Sequence, residues 1–570
     1  MLINKVVDLL EPMLDLPRVE IEAMVEVPPR PEMGDLAFPC FTLAKTMRKA
    51  PAVISAELAA SLTSPELRAE AAGPYINFYF ERTNMASAML TRLADPQFGK
   101  LQVGAGKKMV IDMSSPNIAK PFGIGHLRST VIGAALYRMY EEAGYTAESV
   151  NHLGDWGTQF GKQIAAYKRW GEDARLAKEP IKESLRLYVK FHDEEENDPS
   201  LGTEARAWFK KLEQGDEEAV SLWKYFVDIS MQEFNRMYDR LGVKFDHVLG
   251  ESYYIDQTDN TVTKLKQSGL LTESDEAMVV RLDEEGMPPC LIIKKDGTTI
   301  YPTRDLTTAY YRHEVMKADE VLYVVGAEQK LHFQQVFAVL AKMGEKWSEH
   351  FIHVPFGLMK FEGRKMSTRR GKVVFLEEVL DEAVERAAQI INEKNPNLQN
   401  AAEVAEQVGL GAIVFGDLKN HRLNEVDFSL EEALSFEGET GPYVQYTHAR
   451  IQSLLSKANT NTDEEIEETS KSAADEHSDQ VQISDAAWAV MKHLSRYPEQ
   501  LERGVRLKEP SVLARYVIDL AQLYNRFYHQ EKILGSPKNE QTYKLKLSEI
   551  VGQRIKGILG LLGVQTPERM

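Results

Sequence analysis

Asp112-Met113-Ser114-Ser115-Pro116-Asn117-Ile118-Ala119-Lys120-Pro121-Phe122-Gly123-Ile124-Gly125-His126-Leu127-Arg128-Ser129-Thr130 is the stretch that decides the fold. A short apolar run at 109–111 leads into it, and a run of helical period over 127–143 leads out and stops at Gly144, a residue type that commonly ends helices. The pattern predicts strand, loop, helix. Gly123 and Gly125 let the backbone approach a ligand where a side chain would obstruct it. A helix opening at His126 turns free N–H groups and the positive end of its dipole toward that ligand. A Gly-x-Gly by itself fits a tight turn as well as a phosphate, so the rest of the chain has to decide between them.

At 570 residues the chain exceeds what one core can serve, and three or four domains are expected. No apolar run approaches the roughly 18 residues of a membrane span, and residues 1–17 carry Asp8, Glu11 and Asp15 where a secretory signal would be apolar. A soluble, cytoplasmic protein with no membrane contact is expected. Cys40 and Cys290 sit in unrelated segments without ligand spacing, which leaves no thiolate zinc site and no disulfide framework; no structural zinc is expected. The net charge of −18 is wrong for a globally basic nucleic-acid binder. Over 486–570, however, Lys and Arg outnumber Asp and Glu fourteen to eight, while 463–479 is an acidic run with eight Asp and Glu against one Lys, so any nucleic-acid contact belongs to local patches.

Residues 1–104 read as a small α/β unit of their own, with helical period over 2–16 and within 36–47 and strand alternation in Tyr75-Ile76-Asn77-Phe78-Tyr79-Phe80. From Lys107 the pattern becomes strand, helix, strand, which predicts a doubly wound parallel sheet with ligands at the carboxyl ends of its strands. Asn151-His152-Leu153-Gly154-Asp155-Trp156-Gly157-Thr158-Gln159-Phe160-Gly161 falls at such an end. The polar, amphipathic stretch 162–296 reads as an insertion, after which the sheet resumes: Thr299-Ile300-Tyr301-Pro302-Thr303-Arg304-Asp305 enters a helix, 320–325 is a strand, and Gly326-Ala327-Glu328-Gln329-Lys330-Leu331-His332-Phe333-Gln334-Gln335 opens another helix. Glu362-Gly363-Arg364-Lys365-Met366-Ser367-Thr368-Arg369-Arg370-Gly371-Lys372 then gathers five cationic groups bracketed by glycines. Such a string suits a triphosphate whose charge grows on the leaving pyrophosphate, although a solvated basic turn has the same composition. Residues 377–570 are helical almost throughout.

Ser114 to Phe122 followed by Gly-Ile-Gly-His-Leu-Arg-Ser-Thr closely resembles the first signature of class I aminoacyl-tRNA synthetases, in the form carried by arginyl-tRNA synthetases, with Gly123 where that family usually has histidine. The string 151–161 is similar to the same family, and Lys365-Met366-Ser367 resembles the second signature, with Thr368 in place of the usual second lysine. Residues 438–450 resemble the family's helix that faces tRNA, and 514–528 its helical anticodon-binding domain. The resemblance covers essentially the whole chain. It implies an N-terminal tRNA-contacting α/β domain (1–104), a Rossmann-type catalytic domain (105–376, with the insertion at about 162–296) and an all-α remainder (377–570, with anticodon binding from about 435).

The implied reaction is ATP-dependent activation of L-arginine to arginyl-adenylate, then transfer to the 3′-terminal adenosine of tRNA(Arg), with Mg2+ accompanying ATP. No covalent nucleophile is required; positioning and charge stabilisation suffice. A guanidinium offers five donors in a planar fork and pairs best with a carboxylate. By resemblance Asp305, Tyr301 one turn earlier and Gln329 match the arginine-binding positions, with Ser115, Asn117 and His126 near the amino-acid end and Asp112 a weaker addition. From spacing alone, a helix-capping role for Asp305 is the commoner one. Gly123, Gly125, His126, Lys365 and Ser367 match the ATP contacts. His126, Lys120 and Lys365 are the expected catalytic groups, Lys120 supplying charge that offsets Thr368. Tyr443, Tyr446, Arg450, Arg515, Tyr516 and Arg526 are expected to meet tRNA, though helical aromatics commonly pack against a neighbouring helix instead. A monomer is expected. Gly123 and Thr368 keep open a catalytically silent tRNA-binding relative, and a class I synthetase for another amino acid is the second alternative.

Overall fold

Alternation in the segment 75–80 produces the middle strand of a three-stranded antiparallel sheet. The strands are β1 (Leu36–Pro39), β2 (Leu67–Ala72) and β3 (Tyr75–Phe80), in the order β1-β3-β2. Ile76, Phe78 and Phe80, every second residue of β3, are buried, as a half-covered strand requires. The structure is a computed structural model that describes residues 2–118, 120, 122–295, 297–361, 375–465 and 482–570. It divides into a unit of Met1–Gly99, Arg450–Gln500 and Tyr516–Ile555, and a unit of Lys100–Ala449, Leu501–Arg515 and Lys556–Met570.

In the first unit the N-terminal residues are joined by helices from the far end of the chain. The buried Asp35 accepts the Phe80 N–H at 2.9 Å, the Trp488 indole N–H at 2.7 Å and Lys492 Nζ at 2.8 Å. Arg82 adds an ion pair to Asp485 at 2.6 Å. A three-stranded sheet this small has too little apolar face of its own to bury, and helices from the far end of the chain complete its core.

The second unit is built on a five-stranded parallel sheet of β4 (Lys108–Asp112), β5 (Thr146–Asn151), β6 (His247–Val248), β10 (Glu320–Gly326) and β11 (Phe351–Phe356), in the order β11-β10-β4-β5-β6. Strand β6 falls inside the stretch expected as an insertion, so the chain leaves the sheet twice: once through the helices of 158–241, and once through a separate antiparallel sheet of β7 (Leu271–Ser274), β8 (Ala277–Val280) and β9 (Cys290–Ile293). After β4 the chain winds toward β6; at β10 it returns to the other side of β4. The order therefore reverses between β4 and β10, the place where open α/β sheets bind ligands. Helix α1 (Ile124–Glu142) follows β4, α2 (Glu217–Leu241) precedes β6, and α3 (Tyr301–Glu314) and α4 (Lys330–Lys342) flank β10. Val110, Val321, Leu306, Tyr310, Phe333 and Val336 share one core that fixes α3 and α4 against the sheet.

The basic string with Lys365, Ser367 and Thr368 lies outside the described residues. Its flanks are anchored. On the entry side β12 (Met359–Phe361) pairs in parallel with β13 (Val426–Phe428), and the buried Arg128 of α1 donates to the carbonyls of Gly357 at 2.6 Å and Asn424 at 2.9 Å while lying 2.8 Å from Asp417. On the exit side Gly123 bridges Phe375, and the Leu376 N–H donates to Phe122 O at 3.0 Å. Described residues on either side of that string are thus tied to the first signature.

Candidate active site

Two consecutive residues with left-handed backbone, Ser114 at φ 71° and Ser115 at φ 51°, carry the chain off the end of β4. Such conformations cost about 1–3 kcal/mol each and persist only where the surroundings over-determine them. Here they do. The Ser114 N–H donates to Ser129 Oγ at 2.9 Å, whose hydroxyl donates to Val324 O at 2.6 Å, and Ser114 Oγ lies 2.8 Å from both the Tyr238 and Thr130 hydroxyls. The Ser115 N–H donates to Asn151 Oδ1 at 3.2 Å and its hydroxyl to Asp112 Oδ1 at 2.8 Å. Residues 116–118 then run beside Gly154, exchanging backbone hydrogen bonds at 3.0 and 3.1 Å. A Cβ on Gly154 would stand 2.5 Å from Asn117 Oδ1, so the glycine of the 151–161 string is what allows Asn117 its seat.

At the start of α1 the Gly123 N–H donates to His126 Nδ1 at 3.2 Å. Burial, reinforced by the nearby positive charge of Lys120, pushes the imidazole down to about 4. His126 is therefore neutral, with its proton on Nε2 as a fixed donor. A Cβ on Gly125 would meet no heavy atom within 4 Å among the described residues, so packing does not demand glycine there. Lys120 Nζ lies 5.4 Å from the centre of the Tyr188 ring.

Tyr301 and Asp305, expected on the guanidinium side, lie in the first residues of α3. Its N-cap is Ile300, so Asp305 stands inside the helix and does not cap it. The half-buried Asp305 carboxylate is bonded to His332 Nε2 of α4. Tyr301 is 56% exposed, with the Arg304 guanidinium 5.5 Å from its ring centre. Arg304 also pairs at 2.7 Å with the buried Glu251, which burial pushes up to about 7 against the pull of Arg304, with Asp305 adding to the rise. Gln329 is exposed on the turn Ala327–Gln329 at the carboxyl end of β10, one helical turn before His332. Tyr301 and Asp305 thus lie on α3, which is bonded through His332 to the helix that follows Gln329, while Ser115 and Asn117 lie on the loop after β4 and His126 in the first turn of α1. Sequence reasoning did not single out Arg304 and His332, although both stand inside strings it quoted. Glu251 carried no signal, since it sits in the presumed insertion.

The expected tRNA contacts separate into classes. Tyr446, on the helix Gly441–Glu465, is 39% exposed and Tyr443 is half-buried. Arg515 grips Glu439 with both terminal nitrogens, Nη2 to Oε2 at 2.8 Å. Arg450 donates to Asn525 Oδ1 at 2.7 Å and lies 5.3 Å from the Tyr528 ring centre, while Arg526 is exposed. Tyr516 departs from the expectation: it is 3% exposed, stacked on His493 at 4.3 Å, and its hydroxyl donates to His493 O at 3.0 Å. It belongs to the apolar face Leu513, Val517, Leu520 and Tyr524 of its helix, all buried, and presents no face to a base.

Cys40 and Cys290 are buried free thiols, and among the described residues no group of three or more His, Cys, Asp or Glu side chains is placed to hold a metal. No described helix is long and apolar enough to cross a membrane.

Three family descriptions match the chain: tRNA synthetases class I (R), catalytic domain, over 89–430; the DALR anticodon binding domain over 444–570; and the arginyl tRNA synthetase N terminal domain over 1–80. An arginine–tRNA ligase of Bacillus anthracis is 49% identical over 559 residues, 98% of this chain and 97% of that protein. One from Clostridium perfringens is 47% identical over 561 residues, 98% of each. The solved arginyl-tRNA synthetase of Thermus thermophilus superposes with a TM-score of 0.80 at 26% identity, covering 100% of this chain and 99% of that one. The Plasmodium falciparum arginyl-tRNA synthetase, at 24% identity over 96% of this chain and 94% of that one with a TM-score of 0.75, shares the fold.

Proposed function

This chain belongs to the arginyl-tRNA synthetases, and from that premise we propose how its residues divide the work of charging tRNA(Arg) with arginine. The observation that carries the assignment is the Asp305 carboxylate at the start of the second turn of α3, near Glu251 and Tyr301. Asp305, with Glu251 as a second anion, receives the substrate guanidinium. Tyr301 covers its plane, Gln329 offers an amide on the same side, and Ser115 and Asn117 hold the α-amino and carboxylate end.

ATP then lies along the start of α1. Gly125 permits its close approach, and the dipole of α1 and the Nε2–H of His126 face its phosphates. The arginine carboxylate oxygen attacks the α-phosphorus; a new O–P bond forms and the bond to pyrophosphate breaks, leaving arginyl-adenylate. Negative charge grows on the departing pyrophosphate, which is where a fixed donor and a cation contribute most. His126 supplies the donor and Lys120 the cation, joined by Lys365 and Ser367 on the evidence of their signature. A ribose hydroxyl of the terminal adenosine next attacks the arginyl carbonyl, and AMP leaves.

Mg2+ accompanying ATP would take its oxygens chiefly from the phosphates. Tyr446 and Tyr443 offer one tRNA-facing surface, and Arg526 and Arg450 another on the anticodon-binding helices. The same reading has the protein act as a cytoplasmic monomer.

Asp305→Asn tests the core of this assignment. It should raise the arginine KM by two orders of magnitude or more, the cost of breaking a buried charge pair being about 3–5 kcal/mol, while the ATP KM stays near that of the parent. Unchanged arginine kinetics would remove Asp305 from the pocket.

A further inference from the structure

An amino acid with a cation at its far end is measured by the separation of two receptors. Here they lie on different elements: Asp305 on α3, Ser115 and Asn117 on the loop after β4. Seven residues beyond Asp305, two turns along the same face of α3, stands Arg312, with no exposed surface. Its Nη2 donates to Asp112 Oδ2 at 2.6 Å, and the other oxygen of that carboxylate takes the Ser115 hydroxyl at 2.8 Å. One carboxylate therefore couples the guanidinium-reading helix to the strained loop. The Arg312 guanidinium lies 4.7 Å from the centre of the Tyr323 ring, and Tyr323 is the register partner of Asp112 across β10 and β4.

The remaining nitrogens of Arg312, Nε and Nη1, and the hydroxyls of Tyr254 and Tyr323 are buried with no hydrogen-bond partner among the described residues. Asp112 is thus the charged group that fixes the rotation of the guanidinium, with the Tyr323 hydroxyl beside it. A buried ion pair with unsatisfied donors is a poor device for stability, since apolar residues of similar volume commonly do as well or better. What it does provide is a short, directional link between two elements.

We propose that Arg312 is a positioning residue which, through Asp112, sets the distance between the two ends of the arginine site and hence the length of amino acid the enzyme accepts. The proposal rests on the assignment of Asp305 to the guanidinium. Arg312 touches no substrate; it holds α3 and Ser115 in one register, so loosening it relaxes length discrimination before it affects ATP.

The test is arginine- and tRNA-dependent pyrophosphate exchange by Arg312→Lys, with arginine and with homoarginine, one methylene longer. Displacement of positioning groups by an ångström costs up to about 100-fold, and one methylene is discriminated by roughly 10- to 200-fold. The variant should therefore lose about 10- to 100-fold in kcat/KM for arginine but much less for homoarginine, narrowing their ratio about tenfold, with the ATP KM within twofold of the parent. Equal losses for both amino acids, or a lowered melting temperature with the ratio intact, would make Arg312 merely structural and overturn the proposal. Should Arg312→Lys fail to fold, the pair Asp112→Asn/Arg312→Met, which removes both charges, takes the same readout. Asp305→Asn separates the two ideas: if it leaves arginine kinetics untouched, the pocket assignment fails, whereas if it abolishes arginine use while Arg312→Lys leaves the ratio unmoved, only the positioning role fails.

Discussion

The backbone N–H of Gly123 donates to Nδ1 of His126 at 3.2 Å, so the residue that replaces the family's first signature histidine also sets the tautomer of the second. The imidazole presents Nε2–H outward and is held neutral down to about 4. A histidine that folds with a depressed pKa adds stability that is fully present above its ordinary value near 6.5 and is lost as pH falls from there toward 4. His126→Gln should accordingly show a stability deficit, by urea unfolding, that shrinks between pH 6.5 and 4. The same variant should activate arginine about 10²- to 10³-fold more slowly with a nearly unchanged arginine KM. A deficit that grows on acidification would refute the neutral assignment.

Lys120 is the second testable group. Gly123 has φ −88° and ψ 168°, extended backbone that any side chain adopts, so Gly123→His should be tolerated. If Lys120 offsets the lysine replaced by Thr368, Lys120→Ala should depress pyrophosphate exchange sharply with little effect on arginine affinity, and Gly123→His should partly rescue it. Normal exchange by Lys120→Ala would place the compensating charge elsewhere.

Glu251 gives the pocket a pH dependence. Burial pushes its carboxyl up to about 7, so below that pH the group must release a proton to meet the incoming guanidinium. The arginine KM should fall as pH rises from 6 to 8, by up to about tenfold per unit below the pKa, and Glu251→Gln should flatten the profile. An equally steep profile in Glu251→Gln would assign the titration to another group.

Exposure separates two tyrosines expected to meet tRNA. Tyr446 is 39% exposed and Tyr516 3%. Tyr446→Ala should weaken tRNA use by about 1–3 kcal/mol, the scale of a lost stacking contact, while keeping the melting temperature. Tyr516→Ala should instead cost stability on the order of 3–5 kcal/mol, as for a truncated core aromatic. A tRNA defect in Tyr516→Ala without loss of stability would return that residue to the interface.

Local chemistry determined much of this protein. The glycines before α1, the alternation of strands and helices after residue 107 and the order of the two signatures can be read along the chain, because backbone freedom, periodicity and motif spacing are properties of neighbouring residues. So can the identity of Ser115, Asn117, His126, Tyr301, Asp305 and Gln329 as candidates, through resemblance. Only the tertiary structure decided what those residues touch. Glu251 meets Arg304 across 53 residues, Arg312 meets Asp112 across 200 and Trp488 meets Asp35 across 453. No local pattern encodes such pairings, because a buried charge needs a counter-charge in space and is indifferent to its distance along the chain. The same holds for Tyr516: its sequence neighbours suit a tRNA-binding helix, but which face of that helix is buried was settled by the elements packed against it.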